Sequence, residues 1–257
     1  MLAPASRLVN ESALLAARRE DGAVCEQDFL EALEKLMLGP ARQLLLLPEE
    51  RRRIAYHEAG HAILGLVVPG ADPVYRVTIT PRGQALGVTY QRPEDDRHNY
   101  EEAYLRAIIV GALGGRAAEE LIYGSRTTGA ENDLERATAL ARQMVTRWGM
   151  SEQFGPMSLG AGDGRTASGL PAAAGVAPSR PASEATARAI DAEVQTILRD
   201  CYQQASDLLA DHRWRLDALA QALLEHETLD QGQILEVTRL SPVRYLPNAA
   251  DSAPVSK

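Results

Sequence analysis

The sequence runs to 257 residues with 45% hydrophobic side chains, enough for one sizeable globular domain and a smaller appendage. Its 27 Lys and Arg against 35 Asp and Glu give a formal net charge of -8, which disfavours phosphate backbones and argues against a nucleic-acid partner. Two cysteines, Cys25 and Cys201, stand in no ligand or disulfide spacing, so a reducing compartment is expected.

The opening Met1-Leu2-Ala3-Pro4 lacks a basic run followed by an apolar core and a cleavage site, so no secretory leader is expected. From Leu8 to Arg19 and from Glu26 to Leu38, apolar residues recur at helical spacing. Gly22 marks the turn and Gly39-Pro40 the stop, which predicts a helical hairpin. After Ala41 to Leu47, Pro48-Glu49-Glu50 opens a helix running to about Val68, where Pro69-Gly70 ends it. Val74 to Thr80 and Leu86 to Tyr90 are rich in Val, Ile, Thr and Tyr, and with Pro81-Arg82-Gly83 between them they predict two strands and a turn. Helices are expected at about Asn99 to Tyr123, Ala130 to Trp148, Glu184 to Ala210, Arg213 to Glu225 and Asp230 to Leu240.

Residues at about 160–182, dominated by Gly, Ala, Pro and Ser, read as a mobile loop, and 241–257 as a disordered tail. The expected fold class is mainly α with a small β-hairpin beside the site. The expected division is 1–48 as a helical hairpin plus linker and 49–240 as the principal domain. No apolar run approaches the roughly 20 residues that a spanning helix needs, so the chain as given is expected to be soluble and cytoplasmic.

The chemistry-bearing segment is Ala55-Tyr56-His57-Glu58-Ala59-Gly60-His61. Imidazoles at i and i+4 project from one helix face a turn apart, a spacing that suits two ligands of a tetrahedral zinc ion, one Zn2+ per chain. Glu58, between them, is the natural general base for a water made acidic by the metal. A five-residue pattern with two wildcards also arises by chance on exposed helices, but this helix is unusually apolar, and two buried imidazoles need a partner. For the third ligand, Val67 stands where a metzincin would place a histidine, so that reading fails. Asp133 opens a helix on the same face as Ala137, Leu140 and Met144, an expensive place for a carboxylate without a metal or partner, although a helix N-terminus also favours an acid. Glu119 and Glu120 qualify too. Glu119 is the candidate acceptor that orients an imidazole N–H, and Glu120 reads as a surface charge or a partner of Arg116.

These residues resemble the peptidase domain of FtsH-type proteases, the membrane-anchored AAA+ ATP-dependent zinc metalloproteases. The resemblance spans about Leu8 to Val237. It rests on Arg53-Ile54-Ala55-Tyr56-His57-Glu58-Ala59-Gly60-His61-Ala62, Pro81-Arg82-Gly83-Gln84-Ala85-Leu86-Gly87, Gly114-Gly115-Arg116-Ala117-Ala118-Glu119-Glu120 and Thr128-Gly129-Ala130-Glu131-Asn132-Asp133. It implies that His57, His61 and Asp133 hold zinc and that Glu58 is the catalytic base. It further implies that the strand near Gln84 to Tyr90, with Gln84, Ala85, Leu86, Gly87, Val88 and Thr89, offers its edge to an extended substrate. By the same resemblance residues 8–38 look like the last helices of an AAA+ lid, the partners are unfolded or membrane-extracted polypeptides, and the assembly is a homo-hexamer fed by an ATPase module, in cis or in trans.

The departures are that no Gly-x-x-x-x-Gly-Lys-Ser/Thr phosphate loop occurs in these residues, so no ATP site is expected in this chain, and that no spanning helix is present. The chain is expected to be either a piece of a longer family member, then at the cytoplasmic face of a membrane, or a stand-alone peptidase. Two rivals are a catalytically idle assembly or adaptor module that retains the fold, and an intramembrane metalloprotease. Retention of all four chemical residues argues against the first. Arg51, Arg52 and Arg53 within a turn of the site argue against the second.

Overall fold

The computed structural model describes residues 4–40, 42, 44–93, 99–159 and 183–241. The loop expected at about 160–182 and all but the first residue of the expected tail at 241–257 lie outside the described residues. Along the chain come α1 (Pro4–Arg18), α2 (Glu26–Leu38), α3 (Pro48–Val67), β1 (Val74–Thr78), β2 (Val88–Gln91), α4 (Glu102–Ala112) and α5 (Gly114–Tyr123). A 3-10 turn (Thr128–Ala130) leads into α6 (Glu131–Thr146), followed by α7 (Glu184–Asp211), α8 (Arg213–His226), β3 (Thr228–Asp230) and α9 (Gln231–Thr238). This is the mainly α architecture with a small antiparallel sheet that the sequence predicts. No helix among the described residues is long and apolar enough to cross a membrane.

Helices α1 and α2 pack on each other around the buried Ala16 and Ala32, with an ion pair from Lys35 to Glu11. The Asp28 carboxylate accepts the Cys25 N–H at 2.9 Å and closes the first turn of α2. The outer faces keep Val9, Leu14, Leu30, Leu33 and Leu36 exposed.

Helix α3 is the axis of the fold. Pro48 starts it where a missing N–H costs nothing, and Glu50 reaches back to the Leu47 N–H at 3.1 Å. From Ala55 to Leu66 every residue except His61 is buried, so this stretch has no solvent face and runs between α5, α8 and β1. Its contact with α5 is backbone on backbone. A β-carbon at Gly60 would fall 2.4 Å from the Gly114 carbonyl oxygen, and one at Gly114 would fall 2.9 Å from the Gly60 oxygen. Around this axis the core is filled by Ile63, Leu64, Ile109, Met144, Leu209, Leu216 and Leu223, all fully buried.

Three sequence expectations need correction. The single helix expected at Asn99 to Tyr123 is two helices, broken at Leu113, whose N–H turns to the carbonyls of both Ile109 and Gly111. The sheet has a third strand as well, in the order β2-β1-β3 with both pairings antiparallel. Val77 faces Thr89 on one side and Leu229 on the other, and the Thr78 and Thr228 hydroxyls bond at 2.8 Å. The two expected strands are shorter than predicted. Arg82 and Ala85 exchange both backbone hydrogen bonds at 2.9 Å, which makes 82–85 a tight turn and delays β2 to Val88. Among the described residues the outer side of β2 has no neighbouring strand.

Candidate metal centre

His57 and His61 leave α3 on the same face, with Nε2 atoms 3.1 Å apart. Each ring is pinned through its other nitrogen. His57 Nδ1 lies 2.9 Å from Glu119 Oε1 and His61 Nδ1 lies 2.8 Å from the Gly111 carbonyl oxygen. Both partners only accept, so both Nδ1 atoms donate and both Nε2 lone pairs face inward. The break between α4 and α5 lies just past Gly111, next to the carbonyl that serves His61. Gly115, at the start of α5, leaves room for the other ring. A β-carbon there would fall 2.4 Å from His57 Cε1 and Nε2.

Asp133 arrives from a different part of the chain. Thr127 accepts the Gly129 N–H and caps the 3-10 turn, and α6 follows directly with Asp133 in its first turn. Asp133 Oδ2 lies 3.2 Å from His57 Nε2 and 3.3 Å from His61 Nε2. The three donors thus form a nearly equilateral triangle. Bonds of about 2.0–2.1 Å to a tetrahedral zinc ion require ligand atoms about 3.3 Å apart, so His57, His61 and Asp133 fit such an ion. Among the described residues they are the one group of His, Cys, Asp and Glu side chains close enough together to hold a metal.

Glu58 is buried beside this triangle. Thr89 of β2 donates its hydroxyl to Glu58 Oε2 at 2.8 Å and lies 3.1 Å from the Glu58 carbonyl. Gly87 brings bare backbone against the other side: a β-carbon there would meet Glu58 Cγ at 2.7 Å and Oε1 at 2.8 Å. Burial raises the Glu58 pKa, with the two imidazoles and Thr89 pulling the other way.

The charges around the rings call for a cation. Burial alone would make His57 harder to protonate, yet its bonds to Asp133 and Glu119, together with the Glu58 charge, outweigh this and raise its pKa to about 10. For Asp133 and Glu119 burial works upward, but the imidazoles, joined at Glu119 by Thr127 and Arg53, hold both carboxyls below their ordinary range. Three acids around two imidazoles are stabilised by added positive charge, whether a proton or a metal ion.

The structure brings His57, Glu58, His61, Glu119 and Asp133 together. Of the residues expected to line a substrate, Val88 and Thr89 lie in β2. Gln84 and Ala85 lie in the turn before it, and Leu86, which is exposed, and Gly87 lie between that turn and the strand. Glu120, expected as a surface charge or a partner of Arg116, is partly exposed and bonds Arg126 through both oxygens at 2.7 and 3.0 Å while accepting the Tyr202 hydroxyl. No local signal pointed to the Gly111 carbonyl, to Arg53 and Thr127 on Glu119, or to Thr89 on Glu58. These partners are separated by up to 66 residues.

Residues 44–237 match the family described as Peptidase family M41. The chain is 59% identical over 239 residues to the ATP-dependent zinc metalloprotease FtsH of Syntrophus aciditrophicus, covering 93% of this chain and 32% of that protein. It is 57% identical over 235 residues to the protein of the same name from Thermobaculum terrenum, covering 91% of this chain and 35% of that protein. It is 47% identical over 239 residues to ATP-dependent zinc metalloprotease FtsH 3 of Conexibacter woesei, covering 93% and 31%. The chain thus spans about a third of the length of these curated relatives.

Proposed function

Because the chain belongs to peptidase family M41 and is a metalloendopeptidase, we propose that it hydrolyses peptide bonds of unfolded or membrane-extracted polypeptides, with His57, His61 and Asp133 as zinc ligands and Glu58 as general base. The observation that carries this reading is the convergence of three donor atoms at 3.1, 3.2 and 3.3 Å with a buried carboxylate beside them.

A bound zinc ion would supply Lewis acidity, lowering the pKa of water from about 16 towards about 7 and withdrawing electrons from a carbonyl oxygen. The protein's own groups do the rest. Glu119 and the Gly111 carbonyl hold the imidazoles in the ligating tautomer. The Thr89 hydroxyl occupies Glu58 Oε2 and leaves Oε1 to take the proton of the attacking water and return it to the departing amine. The unpaired side of β2 would bind substrate as an added antiparallel strand, reading backbone rather than side chains, which suits a broad range of sequences.

The relatives are named as ATP-dependent, and no phosphate loop occurs in these residues. A homo-hexamer, an ATPase module in cis or in trans, and a position at the cytoplasmic face of a membrane in a full-length protein belong to the same proposal. Without such a motor, cleavage is limited to short peptides and already unfolded chains.

Glu58→Gln tests the assignment directly. The variant should retain one zinc per chain and lose casein and peptide cleavage. Full activity in that variant would overturn the role of Glu58.

A further inference from the structure

Glu119 connects the metal centre to the segment that brings in its third ligand. Its Oε1 takes the His57 N–H at 2.9 Å, while Oε2 takes the Thr127 hydroxyl at 2.8 Å and Arg53 Nη1 at 3.1 Å. At 2% exposure, the carboxylate depends on these donors rather than on solvent. Arg53 supplies the opposite charge and reaches on to Ser125 Oγ at 3.3 Å. Thr127 does something that Arg53 cannot. The oxygen that donates to Glu119 also accepts the Gly129 N–H at 3.2 Å, so it caps the turn that runs straight into α6 and Asp133.

Resting on the zinc reading above, we infer that Thr127 is a positioning residue: its hydroxyl ties the acid that orients His57 to the turn that delivers Asp133, so that both ligands keep one shared geometry. The path is Asp133, the α6 entry, Thr127, Glu119 and His57, and Asp133 closes it by approaching His57 Nε2 at 3.2 Å. The job needs a group that donates and accepts at one atom. Serine can do this and valine cannot. A water molecule could replace the donation to Glu119, but it would not anchor the connection from α5 to α6. That connection is exposed from Gly124 to Gly129 and depends on such side-chain ties for its position.

The test compares the full chain with Thr127→Val and Thr127→Ser. Zn2+ affinity is measured by competition with a chelator, the visible absorption of the Co2+-loaded protein reports ligand geometry, and melting in excess chelator reports the fold by itself. Thr127→Val should bind Zn2+ about 10-fold more weakly and show a weaker, displaced Co2+ band, while Thr127→Ser restores both. If Thr127→Val does not fold, Thr127→Ala also removes the hydroxyl and places no γ-methyl where it stood. Wild-type Zn2+ affinity and Co2+ spectrum in the hydroxyl-free variant would overturn the inference, as would a serine variant no better than valine. A wild-type chain with no Zn2+ affinity would instead sink the zinc reading itself, so the two failures are told apart.

Discussion

Replacing Gly87 by alanine isolates Glu58, the proposed general base, from the proposed metal ligands. The new β-carbon would fall 2.7 Å from Glu58 Cγ and 2.8 Å from Oε1, whereas ordinary contact begins at 3.4 Å, so Glu58 or the strand must yield by 0.6–0.7 Å. Glu58 cannot swing away freely. Its Oε2 is held by Thr89, it is buried, and Cγ lies close to the helix rather than at the free end of the side chain. A displacement of about 1 Å in a catalytic group costs about 100-fold, so kcat/KM for a fluorogenic peptide should fall about 10- to 100-fold, or about 1.4–2.7 kcal/mol of barrier. His57, His61 and Asp133 are untouched, so zinc content should stay at one per chain. Turnover within twofold of wild type would show that the contact does not constrain Glu58. Parallel loss of zinc and activity would show that Gly87 acts on the fold and not on the base.

Other perturbations separate the remaining parts. Gly115→Ala drives a β-carbon into the His57 ring at 2.4 Å. It should weaken Zn2+ binding at least about 10-fold in a chelator competition, and unchanged affinity would count against the packing described for that ring. Zinc at about 100 times its Kd should stabilise the chain by about 2.7 kcal/mol, a rise of about 5–11 °C in melting temperature. Asp133→Ala should abolish that rise, and a rise that persists would disqualify Asp133 as a ligand. Glu120 is held down to about 2, first by Arg126 and then by Tyr202. Since its unfolded value of about 4.5 is the higher one, the stabilisation is fully present above pH 4.5 and is lost as pH falls through about 2. Glu120→Gln should therefore lower stability, by under about 1 kcal/mol given the exposed setting, above pH 4.5, and the gap should close in acid. A gap independent of pH would rule out the charge as its source.

What the sequence disclosed and what it hid divide by the range of the interaction. The helix bearing His57 and His61 was legible because Pro48, the early acids and the 3.6-residue spacing are all local. Asp133 was legible as an anomaly, a carboxylate on the stripe that carries the buried Ala137 and Met144. Strand β3 was not legible, because three residues carry no period and become a strand only when Leu229 meets Val77. The break at Leu113 was hidden by an apolar pattern that continues across it, and its use, exposing a carbonyl to His61, belongs to a partner 50 residues away. Glu120 was read as a surface charge or a partner of Arg116, and what that reading could not reach is that its direct bonds go to Arg126 beyond the helix end and to Tyr202 on α7.

Among the described residues β2 has no neighbouring strand on its outer side, and the substrate docking proposed there carries a hazard. A strand edge that can accept any extended chain can also accept another copy of itself, and molecules that did so would aggregate. Here the exposed run is only four residues long, the partner strand is irregular between Val74 and Arg76, and Arg92 and Pro93 follow at once. A guest strand can therefore form few rungs before it meets a cation and a residue without an N–H, which keeps pairing short-lived.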